Sequence, residues 1–373
     1  MNFLNKKGYK IVVDKKISDR KIEHLKIPIE SDVQHKHNYF REIKLIHNAL
    51  PEYDLNEIDL SVDFFGKTIS APICIAGMTG GHPIAKEINK ILAYAAEKEN
   101  IVLGVGSQRA GIEEKYLDSY KIIRSEAPNI PIIGNIGIGQ ISDSKFKNEI
   151  FKECIHMIDA DVMAIHFNAL HELLQDEGNT NFKLFKKHFQ YLRNEFKLPI
   201  IAKETGNGFN KEIINKLEIL GFDGFDVGGL GGTSFAAIES KRDNNKNKEY
   251  SRNPATLFRD WGIPTPVSIL NIREISKKMI IATGGLRTGI DIVKSIALGA
   301  NLGGIAYNFL ISAWSDYKQK TNINTIKEIK TLKNEIRAAL WLVNIKNIND
   351  LINKKSKIIF LGDLYQWINQ EGG

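Results

Sequence analysis

DVMAIHFN, residues 161–168, alternates with a period of two: Val162, Ala164, His166 and Asn168 fall on one face, Met163, Ile165 and Phe167 on the other. Such alternation predicts a β-strand. The second face is apolar throughout, as a side pressed beneath helices must be. The first turns polar only at its end, as expected of a strand whose inner face lines a barrel and whose C-terminal tip meets a site. Seven further apolar segments share the rhythm: ISAPICIAG (69–77), NIVLGVG (100–106), IPIIGNIG (130–137), LPIIAKETG (198–206), GFDGFDVGG (221–229), KMIIATGGL (278–286) and ANLGGIAYNFL (300–310). Helical patterns such as IAKEINKILAYAAEKE and GIDIVKSIALG lie between them. Strands alternating with helices predict a parallel sheet of the α/β class, and eight strands close a (β/α)8 TIM barrel. A doubly wound open sheet competes, but its early G-x-G-x-x-G turn is missing.

The barrel reading gathers polar and glycine residues at the strand tips, where barrel enzymes keep their chemistry. These are Met78-Thr79-Gly80-Gly81, Ser107-Gln108-Arg109, Asn135, Lys203-Glu204, Gly231-Gly232-Thr233-Ser234 and Gly284-Gly285. Glycines beside hydroxyl residues let backbone N–H groups approach a phosphate, and GGLGGTSF (228–235) and ATGGLRTG (282–289) are both of this kind. Lys203 closes the fifth strand on the inner face, where an unpaired ammonium is costly to bury. It has three available roles: a Schiff base, a pair with an internal carboxylate such as Glu204, or a contact to the electron-rich edge of a flavin.

HFNALHELLQDEGN (166–179) crowds polar groups after the fourth strand. Its histidines are five apart, unlike the H-E-x-x-H pair on one helical face, which disfavours a zinc pair. His166 points into the barrel, either as a functional group or as a histidine merely bonded in the core. His171 with Gln175, and Glu172 with Asp176, make polar stripes that a solvated helix face would also show.

The 373 residues, 43% of them hydrophobic, suffice for a large core. Fifty-one basic against 44 acidic residues leave a net +7, spread without a dense basic block, which argues against a nucleic-acid partner. Cys74 and Cys154 form no disulfide framework and no zinc spacing. The N-terminus has no signal-type apolar core, and no run reaches the roughly 18 apolar residues of a membrane span. A cytoplasmic protein without membrane contact is expected. Residues 1–68 read as an N-terminal extension, and 69–373 as the barrel with a C-terminal helical tail. SKRDNNKNKEYSRN (240–253) is nearly devoid of apolar side chains and reads as a mobile flap at the catalytic face or as an insertion without a role.

Together and in order, AGMTGG, GVGSQR, GNIG, HFNALHE..QDEGN, AKETGNG, DVGGLGGTSFAAIE..R, WGIPT and ATGGLRTGIDIVKSIALGA, with Arg20-Lys21-x-x-His24 before them, resemble the FMN-dependent type 2 isopentenyl diphosphate isomerases. The resemblance runs from about residue 20 to the end. It implies interconversion of isopentenyl and dimethylallyl diphosphate on reduced FMN with Mg²⁺, NADPH as reductant, and a homo-oligomer, tetramer or octamer. Carried over, it places Met78, Thr79, Ser107 and Asn135 against FMN, Lys203 beside the flavin ring, and Thr233, Gly284, Gly285 and Ala306 at its phosphate end. Arg20, Lys21, His24 and Arg109 would clamp the substrate diphosphate, with His171 close to the substrate. Glu172 would hold Mg²⁺, and His166, His171, Glu172 and Lys203 would serve the chemistry. Two departures stand out: His171 occupies a position that is usually glutamine, and Glu177-Gly178-Asn179 replaces Glu-Gly-Asp. An imidazole can donate and accept protons near neutral pH, which an amide cannot. The alternatives are a flavin oxidoreductase of the 2-hydroxy acid oxidase type, a related flavin isomerase with another prenyl substrate, a silent barrel that binds prenyl diphosphates or nucleic acid, and an aldolase using Lys203.

Overall fold

The computed structural model describes residues 17–114, 116–175, 178–242 and 253–370, with side chains from residue 22 onward apart from that of 254. Arg20 and Lys21 therefore contribute only backbone, and most of the expected flap, 243–252, lies outside the described residues, as do Asp176 and Glu177.

Eight parallel strands close into a barrel. They are β1 (Ile73–Ile75), β2 (Val102–Gly104), β3 (Ile132–Gly137), β4 (Val162–Phe167), β5 (Ile200–Glu204), β6 (Gly224–Asp226), β7 (Met279–Ala282) and β8 (Leu302–Ile305). Each lies within one of the eight segments expected from the alternation. β8 pairs with β1, and β6 with β7, so no edge is left open. On β4, Met163 and Ile165 are fully buried, while Phe167 meets the rings of Phe185, Phe209 and Phe222. Those three rings come from surrounding elements, so this is the helix-facing side. Val162, Ala164 and His166 point the other way. Each aliphatic or aromatic side chain so buried stabilises the barrel by about 1.5–3 kcal/mol.

Five helices matter for the site: α1 (Ile17–Glu30), α2 (Ala169–Leu174), α3 (Phe235–Arg242), α4 (Tyr307–Gln319) and α5 (Ile323–Leu342). α3 claims residues 240–242 of the expected flap; Arg242 is drawn in by ion pairs to Glu239 and, at 2.9 Å, to Glu23. α4 begins directly at the tip of β8, and α5 packs on it. The extension lies across the C-terminal mouth of the barrel. Leu25 of α1 is buried against Ala85 and Leu310, and Val33 against Ala237 and Ile238. Beyond them the chain is stitched to the loops after β6 and β7: His35 N–H donates to Gly232 O at 2.8 Å, and Asn38 Nδ2 to Gly285 O at 2.7 Å. Among the described residues no helix is long and apolar enough to cross a membrane.

Candidate functional site

A cavity of about 230 Å³ opens at the strand tips. Met78, Ser107, Asn135, His166, His171, Lys203, Thr233, Gly284, Gly285, Ala306 and His24 all line it. Thr79, Arg109 and Glu172 do not.

One end of the cavity is a backbone cradle. Gly284 and Gly285 have φ of +100° and +94°, in the left-handed region that side chains rarely adopt. A Cβ on Gly284 would stand 2.2 Å from Gly229 O, and one on Gly285 2.8 Å from Gly231 O. The loops after β6 and β7 thus touch backbone to backbone, and a side chain would force them apart. The N–H groups of Gly284, Gly285 and Ala306 are engaged by no backbone carbonyl among the described residues. The N-terminus of α4 adds its positive dipole end. Arg287, not singled out from the sequence, lines the same end; its guanidinium lies over the Tyr307 ring at 5.1 Å and donates to Gln34, whose amide donates to Thr233 Oγ1 at 3.2 Å. Its signal was available: an arginine two residues beyond a double glycine at a strand tip.

The centre is built by adjacent strands in register. Lys203 on β5 stands beside His166 on β4 and Asp226 on β6. Its ammonium donates to Asp226 Oδ2 at 2.6 Å, and Thr283 donates to the other carboxylate oxygen. The internal partner of Lys203 is therefore Asp226 and not Glu204. Adjacent residues on a strand point to opposite faces, so Glu204 cannot share the lysine's side. Glu204 instead turns its Oε2 onto the N–H groups of Thr205, Gly206 and Gly208 at 2.7, 2.8 and 3.0 Å, shaping the loop. Burial pushes its carboxyl up to about 7, against the lowering pull of those donors. His166 is buried with Nδ1 2.7 Å from Asn135 Oδ1. The Asn135 amide is oriented by its donation to Val105 O at 3.0 Å, so the imidazole is the donor in this pair. Thr79 is buried, and its hydroxyl has no hydrogen-bond partner among the described residues.

The other end is a polar cluster on α1, α2 and α3. Nε2 of His24 and Nε2 of His171 both lie on Glu239 Oε1, at 2.9 and 2.8 Å. Arg242 takes the second carboxylate oxygen. Although burial raises Glu239, the hydrogen bonds from His171 and His24 outweigh it and hold the carboxyl well below its usual range. Burial lowers His24 to about 4, so it is a neutral imidazole at pH 7. Glu239 was missed in the sequence, because a carboxylate inside a helix carries no strand-tip signal. Glu172, one residue from His171, faces away from this cluster: its oxygens accept from Asn168 Nδ2 at 3.0 Å and Asn179 N–H at 2.6 Å. Arg109 is held by Glu113 of its own short helix at 2.9 Å.

The chain is 42% identical over 362 residues to the isopentenyl-diphosphate delta-isomerase of Methanococcus maripaludis, covering 95% of this chain and 98% of the relative. It is also 42% identical over 356 residues to that of Archaeoglobus fulgidus, covering 95% and 99%. The chain belongs to the isopentenyl-diphosphate delta-isomerase family. Residues 17–115 match the FMN-dependent dehydrogenase family, and residues 253–352 the conserved region in glutamate synthase. Among solved structures, a soluble mutant of (S)-mandelate dehydrogenase from Pseudomonas putida aligns with TM-score 0.62 at 14% identity, covering 86% of this chain and 88% of that one. The L230A mutant of flavocytochrome b2 with benzoylformate aligns at 0.61 and 18% identity, covering 87% and 77%. At those identities the likeness concerns the fold alone.

FMN fits what the isomerase-family chain presents. The glycine cradle and helix terminus suit a phosphate, and Met78, Ser107, Asn135 and Lys203 line the same cavity. For Mg²⁺ the donor set is one buried carboxylate, Glu172, aimed by two hydrogen bonds. That suits a cation which takes one or two carboxylates and completes its shell with phosphate oxygens and water.

Proposed function

We propose that this chain interconverts isopentenyl diphosphate and dimethylallyl diphosphate, with reduced FMN and Mg²⁺ bound. One observation carries the reading: a single cavity joins a backbone anion cradle at one end to an imidazole-lined mouth beneath α1 at the other. Such a site takes two phosphorylated molecules with their reactive parts meeting between them, beside Lys203 and His166.

Thr233, Gly284, Gly285 and Ala306 hold the FMN phosphate, and Met78, Thr79, Ser107 and Asn135 seat the ring. The Asp226–Lys203 pair keeps an ammonium fixed at the ring's edge. Arg20, Lys21, His24 and Arg109 take the substrate diphosphate, for which guanidinium and ammonium donors are suited. Glu172 is the carboxylate proposed to hold the metal. When bound, reduced FMN supplies an electron-rich surface that stabilises positive charge in the substrate. A proton added to the terminal alkene carbon leaves cationic character at C3, and loss of a C2 proton gives the allylic isomer, with no net redox change. His166 and His171 line this space and hold a proton at an imidazole nitrogen within reach of it. The walls orient the alkene and exclude water. NADPH is the proposed reductant of the flavin, and a homo-oligomer the proposed assembly.

The test is anaerobic incubation of the protein with FMN, a reductant, Mg²⁺ and isopentenyl diphosphate. Dimethylallyl diphosphate is expected to form only with reduced flavin. Bound FMN without product would show that the flavin barrel is right and the substrate wrong.

A further inference from the structure

His24, His171 and Glu239 place two imidazole nitrogens and one carboxylate oxygen within 4.8 Å of one another. We propose that these three side chains form a site for one borderline divalent transition-metal ion, of the Zn²⁺ or Co²⁺ kind, separate from a Mg²⁺ held by Glu172. The inference goes beyond the isomerase reading and does not depend on which prenyl substrate the cavity takes; an ion bound here uses the Nε2 atoms of His24 and His171, so in the loaded state those imidazoles reach the substrate through the ion and not directly.

The donors match such ions. Two imidazoles with one carboxylate are a ligand set of open-sited zinc and of other first-row metals, whereas Mg²⁺ is held by oxygen. Their separation is close to what coordination needs. Bonds of about 2.0–2.2 Å around a tetrahedral ion set neighbouring donors roughly 3.4 Å apart. The present contacts of 2.8 and 2.9 Å have both rings on the same carboxylate oxygen. The Gln175 amide also lies on two of these donors, its Nε2 against His171 Nε2 and 3.2 Å from Glu239 Oε1, and has to turn aside. Small rotations then admit the ion: each ring gives an Nε2 lone pair to the metal, and any proton on that nitrogen moves to Nδ1.

The surroundings hold the ligands in place. Arg242 grips the second oxygen of Glu239 and is itself paired with Glu23 at 2.9 Å. The Phe235 ring packs on His171 at 4.7 Å and on His24 at 6.1 Å, limiting ring rotation. Side chains of all three ligands are largely covered, at 14, 14 and 6% exposure, so few waters compete for them. Both histidines also line the cavity. α1, α2 and α3 each supply one ligand, so the ion would tie the extension to the barrel.

The experiment titrates the purified FMN-loaded protein with Co²⁺ and follows the visible bands of nitrogen-bound cobalt at wavelengths beyond the oxidised-flavin absorption, then displaces it with Zn²⁺. One equivalent per chain is expected, resisting millimolar Mg²⁺. His171→Gln and Glu239→Gln should each weaken binding by more than about 100-fold, since loss of an outer-shell partner alone costs 10–100-fold. His156→Gln, an exposed histidine away from the cluster, should bind as the parent does. Flavin absorbance and circular dichroism of each variant check that it is folded. Absence of a saturating cobalt signal, displacement by Mg²⁺, or parent-like affinity in folded His171→Gln would each overturn the site. None of these outcomes depends on isomerase turnover, so failure of one reading is distinguishable from failure of the other.

Discussion

Lys203 and Asp226 form the most consequential pair in the cavity, because each is a buried charge compensated by the other. Lys203→Ala is expected to lower turnover at least about 100-fold, in the range seen when a positioned charge is removed from an active site. It should also destabilise the fold by about 3–5 kcal/mol, because Asp226 is left buried without its partner. Steady-state kinetics and denaturant unfolding measure the two effects, and full activity in this variant would contradict the assigned role. Glu204 predicts a pH effect. Its native carboxyl is raised from 4.5 to about 7, so the folded state holds a proton that the unfolded state releases. Its contribution to stability is therefore present below about pH 4.5 and declines as pH rises through 7. The unfolding free energy of Glu204→Gln should lack that decline, and the difference between parent and variant at pH 5 and pH 7.5 reads it directly. Lys203 was legible as a site residue from its place at a strand tip. Its partner was not, because Asp226 lies 23 residues on and is brought opposite only by β5–β6 register.

The elements that shape the mouth come from distant parts of the chain. Leu25 of α1 is 2% exposed, packed against Ala85 and Leu310. Leu25→Asp puts a charge into that contact, so the helix should lift while the closed barrel stays folded. We expect KM for the diphosphate substrate to rise about tenfold or more, equivalent to 1.4 kcal/mol of binding, with little change in flavin content. Unchanged KM would mean that α1 does not carry the substrate contacts. The strands were legible because a barrel strand writes its two environments into the sequence with a period of two. The docking of α1 was not, since an amphipathic helix states that it has a buried face and not which surface covers it. The same limit hid Glu239 and cut short the expected flap, whose first residues belong to α3.

For the whole molecule, the cavity at the barrel mouth couples cofactor to stability. A ligand that binds only the folded chain adds RT ln(1 + [L]/Kd), about 2.7 kcal/mol at a hundredfold excess over Kd. FMN at that excess should raise the thermal midpoint of flavin-free protein by several degrees, whereas riboflavin, lacking the phosphate, should raise it much less. Equal shifts would move the phosphate away from the Gly284–Gly285 cradle. By itself the chain determined its barrel, the order of its eight strands, the glycine-rich strand tips and the inward lysine, because each is written locally in alternation and turn chemistry. Only the tertiary structure decided that Asp226 and not Glu204 answers Lys203, that residues 33–38 stitch the cradle shut, and that His24, His171 and Glu239 converge. Those are contacts between groups up to 253 residues apart, set by strand register and helix docking, and no local pattern encodes them.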